Sequence, residues 1–183
     1  YLHFNIKFNI MKDLSDFRVS YEKYSLSEES IVNDPLILFK EWFEQICDSK
    51  QIKEPNAMTL STVDDNNTPN NRVVLLKKFS NEGFIFFTNY MSNKGKSMSN
   101  NSNVCLSFFW PSHERQVIIK GKCIFMSKKE SDEYFYSRPI DSQIGAVASD
   151  QSSVIPNRKY IVDKFDDLKK NHKKIIRPEH WGG

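Results

Sequence analysis

The sequence has only three cysteines, Cys47, Cys105 and Cys123, far apart and without CxxC spacing. That argues against a disulfide framework or a zinc site as the basis of the fold. Cys105 and Cys123 read as small apolar strand residues, and a reducing, cytoplasmic compartment is expected. No apolar run approaches the roughly 18 residues that a membrane-crossing helix needs. Charge of one sign is not in excess either: the formal net charge is +3 over 183 residues, so no general attraction to nucleic acid follows. The four histidines, His3, His113, His172 and His180, show no metal-binding spacing, and none accompanies a serine or cysteine nucleophile motif. Zinc chemistry and hydrolytic triads are therefore poorly supported, and if the protein is an enzyme a bound cofactor is expected to supply the chemistry. Repeats and low-complexity tracts are absent. The first ten residues lack a basic n-region and a cleavage site, so no signal peptide is expected. Met11 is a plausible start, and residues 1–17 are expected to be an N-terminal extension, disordered or appended, ahead of a single domain over residues 18–183.

What is present is a globular composition, 39% apolar and 13% aromatic, with 14 phenylalanines. Asp34 followed by Pro35 sets up a helix start, and Leu36, Phe39, Phe43 and Ile46 recur at helical spacing to about Cys47. Residues 57–63 read as a strand, 64–70 as a turn, 72–79 as a second strand, and Asn81-Glu82-Gly83 turns it into a third over 84–88. Residues 92–100 read as a short helix capped by Ser92. Two more strands follow, 104–110 and 116–126, joined by a hairpin-length loop. Then come helices: one capped by Ser127 and running to about Ser137, one opened by Pro139 and running to about Ser149, and one capped by Asn157 over 158–171. The tail from Arg177 reads as irregular. Five antiparallel strands with helices before and after predict an α+β, mainly β protein, a small barrel with helical attachments.

Three segments carry anion-binding chemistry. Arg72 and Lys77 bracket an apolar strand, and their odd separation places them on opposite faces; on spacing alone, two solvated strand-end charges explain them better than two anion sites. Residues 88–96 end a strand and enter a helix, where free amides and Lys94 would suit a phosphate, though such stretches are commonly solvated helix starts. Tyr134, Arg138 and Ser142 fall four apart, but Pro139 disfavours helix at Arg138 and predicts a break there. The Arg fork suits phosphate; capping of the preceding helix explains it as well.

Taken together, Arg72-Val-Val-Leu-Leu-Lys77, Phe86-Phe-Thr-Asn-Tyr90 with Ser92-Asn-Lys-Gly95, Arg115-Gln-Val117, Tyr134-Phe-Tyr-Ser-Arg-Pro139, Ser142-Gln-Ile-Gly-Ala146 and Gln151-Ser-Ser-Val-Ile-Pro156 closely resemble pyridoxamine 5′-phosphate oxidase. The likeness runs in unbroken order from about Arg18 to Gly183 and includes the final Trp181-Gly-Gly. It implies an antiparallel split β-barrel of the FMN-binding type, with flanking helices, forming a homodimer with FMN at the interface. It also implies oxidation of pyridoxamine or pyridoxine 5′-phosphate to pyridoxal 5′-phosphate, with O2 reduced to H2O2, and no nucleic-acid or membrane partner. By motif position, Arg72 and Lys94 resemble FMN phosphate ligands. Val73, Val74, Leu75, Leu76, Phe87 and Thr88 resemble the flavin-contacting backbone and wall, with Lys77 at its edge. Gln116 resembles the glutamine that contacts the flavin, and Gln151 and Ser152 the pair reaching FMN from the neighbouring subunit. Lys77, Tyr134, Arg138 and Ser142 resemble the residues that hold the substrate phosphate, and Arg18 and Tyr21 an N-terminal pair that closes over substrate.

Two departures stand out. The family commonly has Arg where Asn93 stands beside Lys94, which weakens one cationic FMN contact. Residues 1–183 also end before the family's Trp-Gln-Gly and Arg-Leu-His motifs, so the chain is expected to be a fragment or a variant lacking part of the active site. A non-catalytic or impaired FMN- or pyridoxal-phosphate-binding protein is therefore the alternative. A split-barrel flavoprotein with another substrate is a third reading, disfavoured by the joint presence of Lys77, Tyr134, Arg138 and Ser142.

Overall fold

The computed structural model describes residues 12–171 and 175–183; residues 1–11 and His172 lie outside them. The first helix, α1 (Pro35–Ser49), begins as its sequence predicts: the Asp34 carboxylate accepts from Leu36 N at 2.8 Å, and Pro35 fills the first turn. It stops where Lys50 turns left-handed at φ 56°. Then follow β1 (Ala57–Val63), β2 (Pro69–Leu75), β3 (Lys78–Ser80), β4 (Gly83–Ile85), β5 (Thr88–Asn89), α2 (Asn93–Asn100), β6 (Asn103–Trp110) and β7 (Arg115–Lys122). Three helices come next, α3 (Lys128–Ser137), α4 (Ile140–Ala148) and α5 (Arg158–Asn171), and a two-residue strand, β8 (Trp181–Gly182), ends the chain.

The central sheet has the order β2-β1-β6-β7, antiparallel throughout. Alternation sends Met58, Leu60, Leu106, Phe108 and Trp110 to one face, where they bury against Phe39 and Ile46 of α1. Phe39 meets Phe79 and Phe84 edge-on, at centroid distances of 5.0 and 5.1 Å. A second, smaller core forms among the helices from Phe135, Ile144, Ile175 and Trp181.

Several expectations need correction. The expected five strands are distributed over one four-stranded sheet and two two-stranded ribbons, β3-β4 and β5-β8, and no closed barrel forms among the described residues. Helical residues outnumber strand residues, so the protein is mixed rather than mainly β. The strand expected over 72–79 breaks at Leu76–Lys77, because the chain changes partner there. Leu76 N donates to Asn56 O at 2.9 Å, still beside β1, whereas Lys77 N donates to Ile85 O at 2.7 Å on the β4 side. The strand expected over 84–88 divides for a related reason: β4 pairs with β3, but Thr88 and Asn89 pair with Gly182 and Trp181. The tail expected to be irregular thus ends in a two-residue strand, Trp181–Gly182, after a stretch without regular structure. The strand expected to reach Met126 ends at Lys122.

Ser92 caps α2 from a fully buried position, its Oγ accepting from Gly95 N at 3.3 Å and donating to Asn89 O at 2.6 Å. Ser92→Ala is expected to cost about 1–2 kcal/mol, a fall of roughly 2–8 °C in Tm for a chain of this size. Thermal melts of the two proteins check this, and superimposable curves would show that the cap contributes nothing.

Candidate functional site

The site forms where the sheet, α2 and the helical core meet. A cavity of about 690 Å³ is lined by Val73, Val74 and Leu75 of β2, by Lys77 just beyond it, and by Phe87, Thr88 and Asn89. Lys94 of α2, Tyr134 and Arg138 at the end of α3, Ser142 of α4, Gln151, and Trp181 of β8 complete the wall. The break expected at Pro139 is present: Arg138 is the extended residue ending α3, at ψ 152°, and α4 begins two residues later. That break turns the Arg138 side chain out of the helical register and beside the first turn of α4, where Ser142 N donates to Pro139 O at 2.9 Å.

Two cationic regions face this cavity or lie against it. At one end, Lys94 Nζ donates to Gln151 Oε1 at 2.9 Å and to Ser92 Oγ at 3.3 Å. Burial lowers the Lys94 pKa, and the neighbouring Arg72 cation lowers it further. Arg72 does not line the cavity. Its Nη1 donates to Thr62 Oγ1 at 2.8 Å and Leu60 O at 3.1 Å, across the β1–β2 ladder, and burial lowers its pKa. At the other end stand Lys77, Tyr134, Arg138 and Ser142. The Arg138 Nη1 is buried and has no hydrogen-bond partner among the described residues, and burial lowers the pKa of its guanidinium. Among the described residues, the five ion pairs use other cations, so neither Arg72, Lys77, Lys94 nor Arg138 has a carboxylate partner. Cations held by neutral groups, with one buried donor unmatched, form a donor set suited to anions.

The residues expected at the site divide accordingly. Val73, Val74, Leu75, Lys77, Phe87, Thr88, Lys94, Tyr134, Arg138, Ser142 and Gln151 are brought together. Leu76 is instead part of the sheet core. Asn93 is exposed on the first turn of α2, and Ser152 is exposed with a left-handed φ of 70°. Gln116 sits on β7, three strands from β2, with Nε2 3.5 Å from Ser107 Oγ; at about 4.8 Å per strand, it cannot reach the cavity of its own chain. Gln151, expected to serve a neighbouring subunit, contacts Lys94 of its own chain. Arg18 and Tyr21 are exposed and line no part of the cavity. Their segment is fastened elsewhere: Lys23 N donates to Glu114 Oε2 at 2.9 Å, and Tyr24 stacks on His113 at 5.5 Å. The sequence reading gave no site role to Trp181, which lies parallel to Phe87 and carries the Arg138 guanidinium 4.6 Å from its ring centroid. A tryptophan just after Pro178 in a polar tail was the available signal, since so large an apolar ring rarely stays unpacked.

The fold places the chain in a recognisable class. The solved structure of PhzG from Burkholderia lata 383, in complex with tetrahydrophenazine-1-carboxylic acid, superposes with a TM-score of 0.82 at 21% identity, covering 89% of this chain and 81% of that one. A pyridoxamine 5′-phosphate oxidase-related, FMN binding protein from Nostoc punctiforme superposes with a TM-score of 0.62 at 13% identity, covering 82% and 79%. The chain thus has the fold of these split-sheet proteins, here with a cation-lined cleft. Residues 49–172 match the sequence family described as pyridoxamine 5′-phosphate oxidase. The pyridoxine/pyridoxamine 5′-phosphate oxidases of Flavobacterium psychrophilum and Flavobacterium johnsoniae are 52% and 53% identical over 175 residues, 94% of this chain and 82% of each relative. That of Leptospira interrogans is 46% identical over 172 residues, 93% of this chain and 80% of the relative. The chain belongs to the pyridoxamine 5′-phosphate oxidase family.

Proposed function

We propose that the protein is an FMN-dependent oxidase of pyridoxine 5′-phosphate and pyridoxamine 5′-phosphate. The product is pyridoxal 5′-phosphate; O2 takes up two electrons and two protons and leaves as H2O2, and the amine substrate also consumes water and releases ammonia. The observation that carries the proposal is the buried Arg138 Nη1, without a hydrogen-bond partner among the described residues, in a cleft whose cations have no carboxylate partner among those residues. FMN fits the residues present: Lys94 and Arg72, with the first turn of α2, would hold its phosphate, and the Val73–Leu75 segment with Phe87 would form an apolar wall. When bound, FMN supplies the two-electron acceptor for the substrate's C4′ carbon and returns the electrons to O2.

The protein's own part is binding and orientation. Arg138 and Lys77 neutralise the substrate phosphate, while the Tyr134 and Ser142 hydroxyls donate to it. Gripping the phosphate at a fixed point restricts where the ring can lie, so the entropic cost of orienting it is met on binding. The Phe87–Tyr134 stack, at 3.8 Å between centroids, closes that wall against water. Neither a proton-transfer residue nor a metal enters this scheme.

A homodimer is part of the proposal, supported by the outer sheet face. Val73, Phe109 and Ile118 are exposed there at 68, 59 and 56%, and the register aligns Val73, Thr59, Ser107 and Ile118 in one row, with Phe109 paired to Gln116 beside it. A second copy on this face would bring a Gln116 toward the cleft that its own chain cannot reach. A cytoplasmic location, with three free thiols, belongs to the same reading; no helix among the described residues is long and apolar enough to cross a membrane. The test is to add FMN, measure bound flavin by absorbance, and follow peroxide release with pyridoxine 5′-phosphate. Stoichiometric flavin and substrate-dependent peroxide are expected. Bound flavin without peroxide would leave a binding protein; no flavin bound would sink the proposal.

A further inference from the structure

Among the described residues the Arg138 side chain donates no hydrogen bond, and Nη1 is buried. What fixes it is aromatic. Its central carbon lies 4.6 Å from the Trp181 ring centroid and 5.9 Å from that of Phe135. A carboxylate in that place would position the cation too, but would compete with an incoming phosphate for its charge and its N–H groups. An aromatic face attracts the cation and leaves every N–H free.

Trp181 is itself fixed from behind. Its backbone carbonyl accepts from Arg177 Nη1, and Arg177 Nε donates to Asp132 Oδ1 at 2.6 Å. Arg177 is only 8% exposed, and in each of the other ion pairs among the described residues both side chains are at least 35% exposed. Arg177 Nη1 also donates to Pro178 O at 3.3 Å, and its backbone N donates to the Tyr136 hydroxyl at 3.4 Å. Asp132 and Tyr136 lie one turn apart on α3, the helix that ends at Arg138. The same helix therefore supplies the phosphate-facing cation and clamps the strand carrying the ring beneath it.

We infer that Trp181, clamped to α3 through the Arg177–Asp132 pair, is the positioning residue that holds the Arg138 guanidinium ready for a phosphate, so that the clamp sets the preference for phosphorylated over unphosphorylated ligands. The inference rests on the reading of this cleft as a site for a phosphorylated pyridine.

The experiment measures binding of pyridoxal 5′-phosphate and of pyridoxal to the full chain and takes the ratio of their Kd values. Wild type is expected to prefer the phosphorylated ligand; absence of any preference would overturn the reading of the cleft itself, whatever the clamp does. Given a wild-type preference, Trp181→Leu is expected to reduce the ratio about 10-fold through weaker pyridoxal 5′-phosphate binding, and Trp181→Phe, which keeps an aromatic face, to restore most of it. Asp132→Asn is expected to reduce the ratio about threefold or more, with pyridoxal binding changed less than about twofold. Wild-type ratios in folded Trp181→Leu and Asp132→Asn would overturn the inference, as would an equal loss of both ligands, which marks a purely structural role. If Trp181→Leu does not fold, Asp132→Asn, leaving the indole in place, decides alone by the same criteria.

Discussion

Arg138→Ala is expected to raise the KM for pyridoxine 5′-phosphate by about 100-fold while kcat changes little. Hydrogen bonds to charged groups contribute about 1.5–3 kcal/mol each, and this guanidinium has a buried nitrogen with no partner among the described residues. An interaction made equally with the bound substrate and at the transition state appears in KM rather than kcat. Binding of unphosphorylated pyridoxine should hardly change, because what is removed faces only the phosphate. Stability should respond differently from affinity. The alanine deletes the contact with Trp181, worth about 0.5–2 kcal/mol, but also removes an unmatched buried donor, a penalty of about 1–3 kcal/mol. These terms oppose each other, so Tm should fall by no more than roughly 4 °C. Lys77→Ala should act in the same direction but more weakly, since its exposed ammonium is screened by solvent. Steady-state peroxide assays on both ligands check the whole pattern. An unchanged KM for the phosphorylated substrate would remove Arg138 from the site.

Gly95→Ala should be among the most destabilising single methyl additions to the described part of the chain. Gly95 is buried in the first turn of α2, and a β-carbon there would stand 2.5 Å from the Tyr90 carbonyl carbon and 2.6 Å from its Cα. Both are backbone atoms, so no side-chain rotation relieves the clash. Tyr90 cannot move freely either: its N donates to His180 O at 2.6 Å and its hydroxyl donates to Gly183 O at 3.0 Å. The helix must shift instead, taking Lys94 with it. Overpacking of this kind costs about 1–3 kcal/mol, occasionally more, so a loss of roughly 3 kcal/mol is expected, with weakened FMN binding alongside. Gly145→Ala is the control. It lies within α4, a β-carbon there meets nothing within 4 Å, and the better helix propensity should raise stability by up to about 1 kcal/mol. Denaturant titrations of the two variants settle the contrast; equal midpoints would contradict it.

The readings that held concern features whose causes lie within a turn of each other. Asp34 with Pro35 starts α1, Ser127 caps α3, and Pro139 separates α3 from α4. The candidate anion ligands were legible in part for the same reason. Arg138 and Ser142 are four apart around a proline, and Lys94 follows the helix cap Ser92. Arg72 and Lys77 do end in different surroundings, but not by alternation along one strand, because the strand is interrupted between them. That interruption follows from Asn56 and Ile85 competing for adjacent backbone groups, which nothing in residues 72–79 announces.

By itself the sequence determined the helices, most strand positions and the types of charged and hydroxyl groups available, because caps, prolines and apolar periodicity act locally. Only the tertiary structure decided that Trp181 pairs beside Asn89 and lies under Arg138, that Gln116 stands three strands from the cleft, and that no carboxylate among the described residues reaches the four cations. Such pairings close long stretches of chain, as between Tyr90 and Gly183, 93 positions apart. Their partners are chosen by packing and loop closure, neither of which leaves a periodic mark in the sequence.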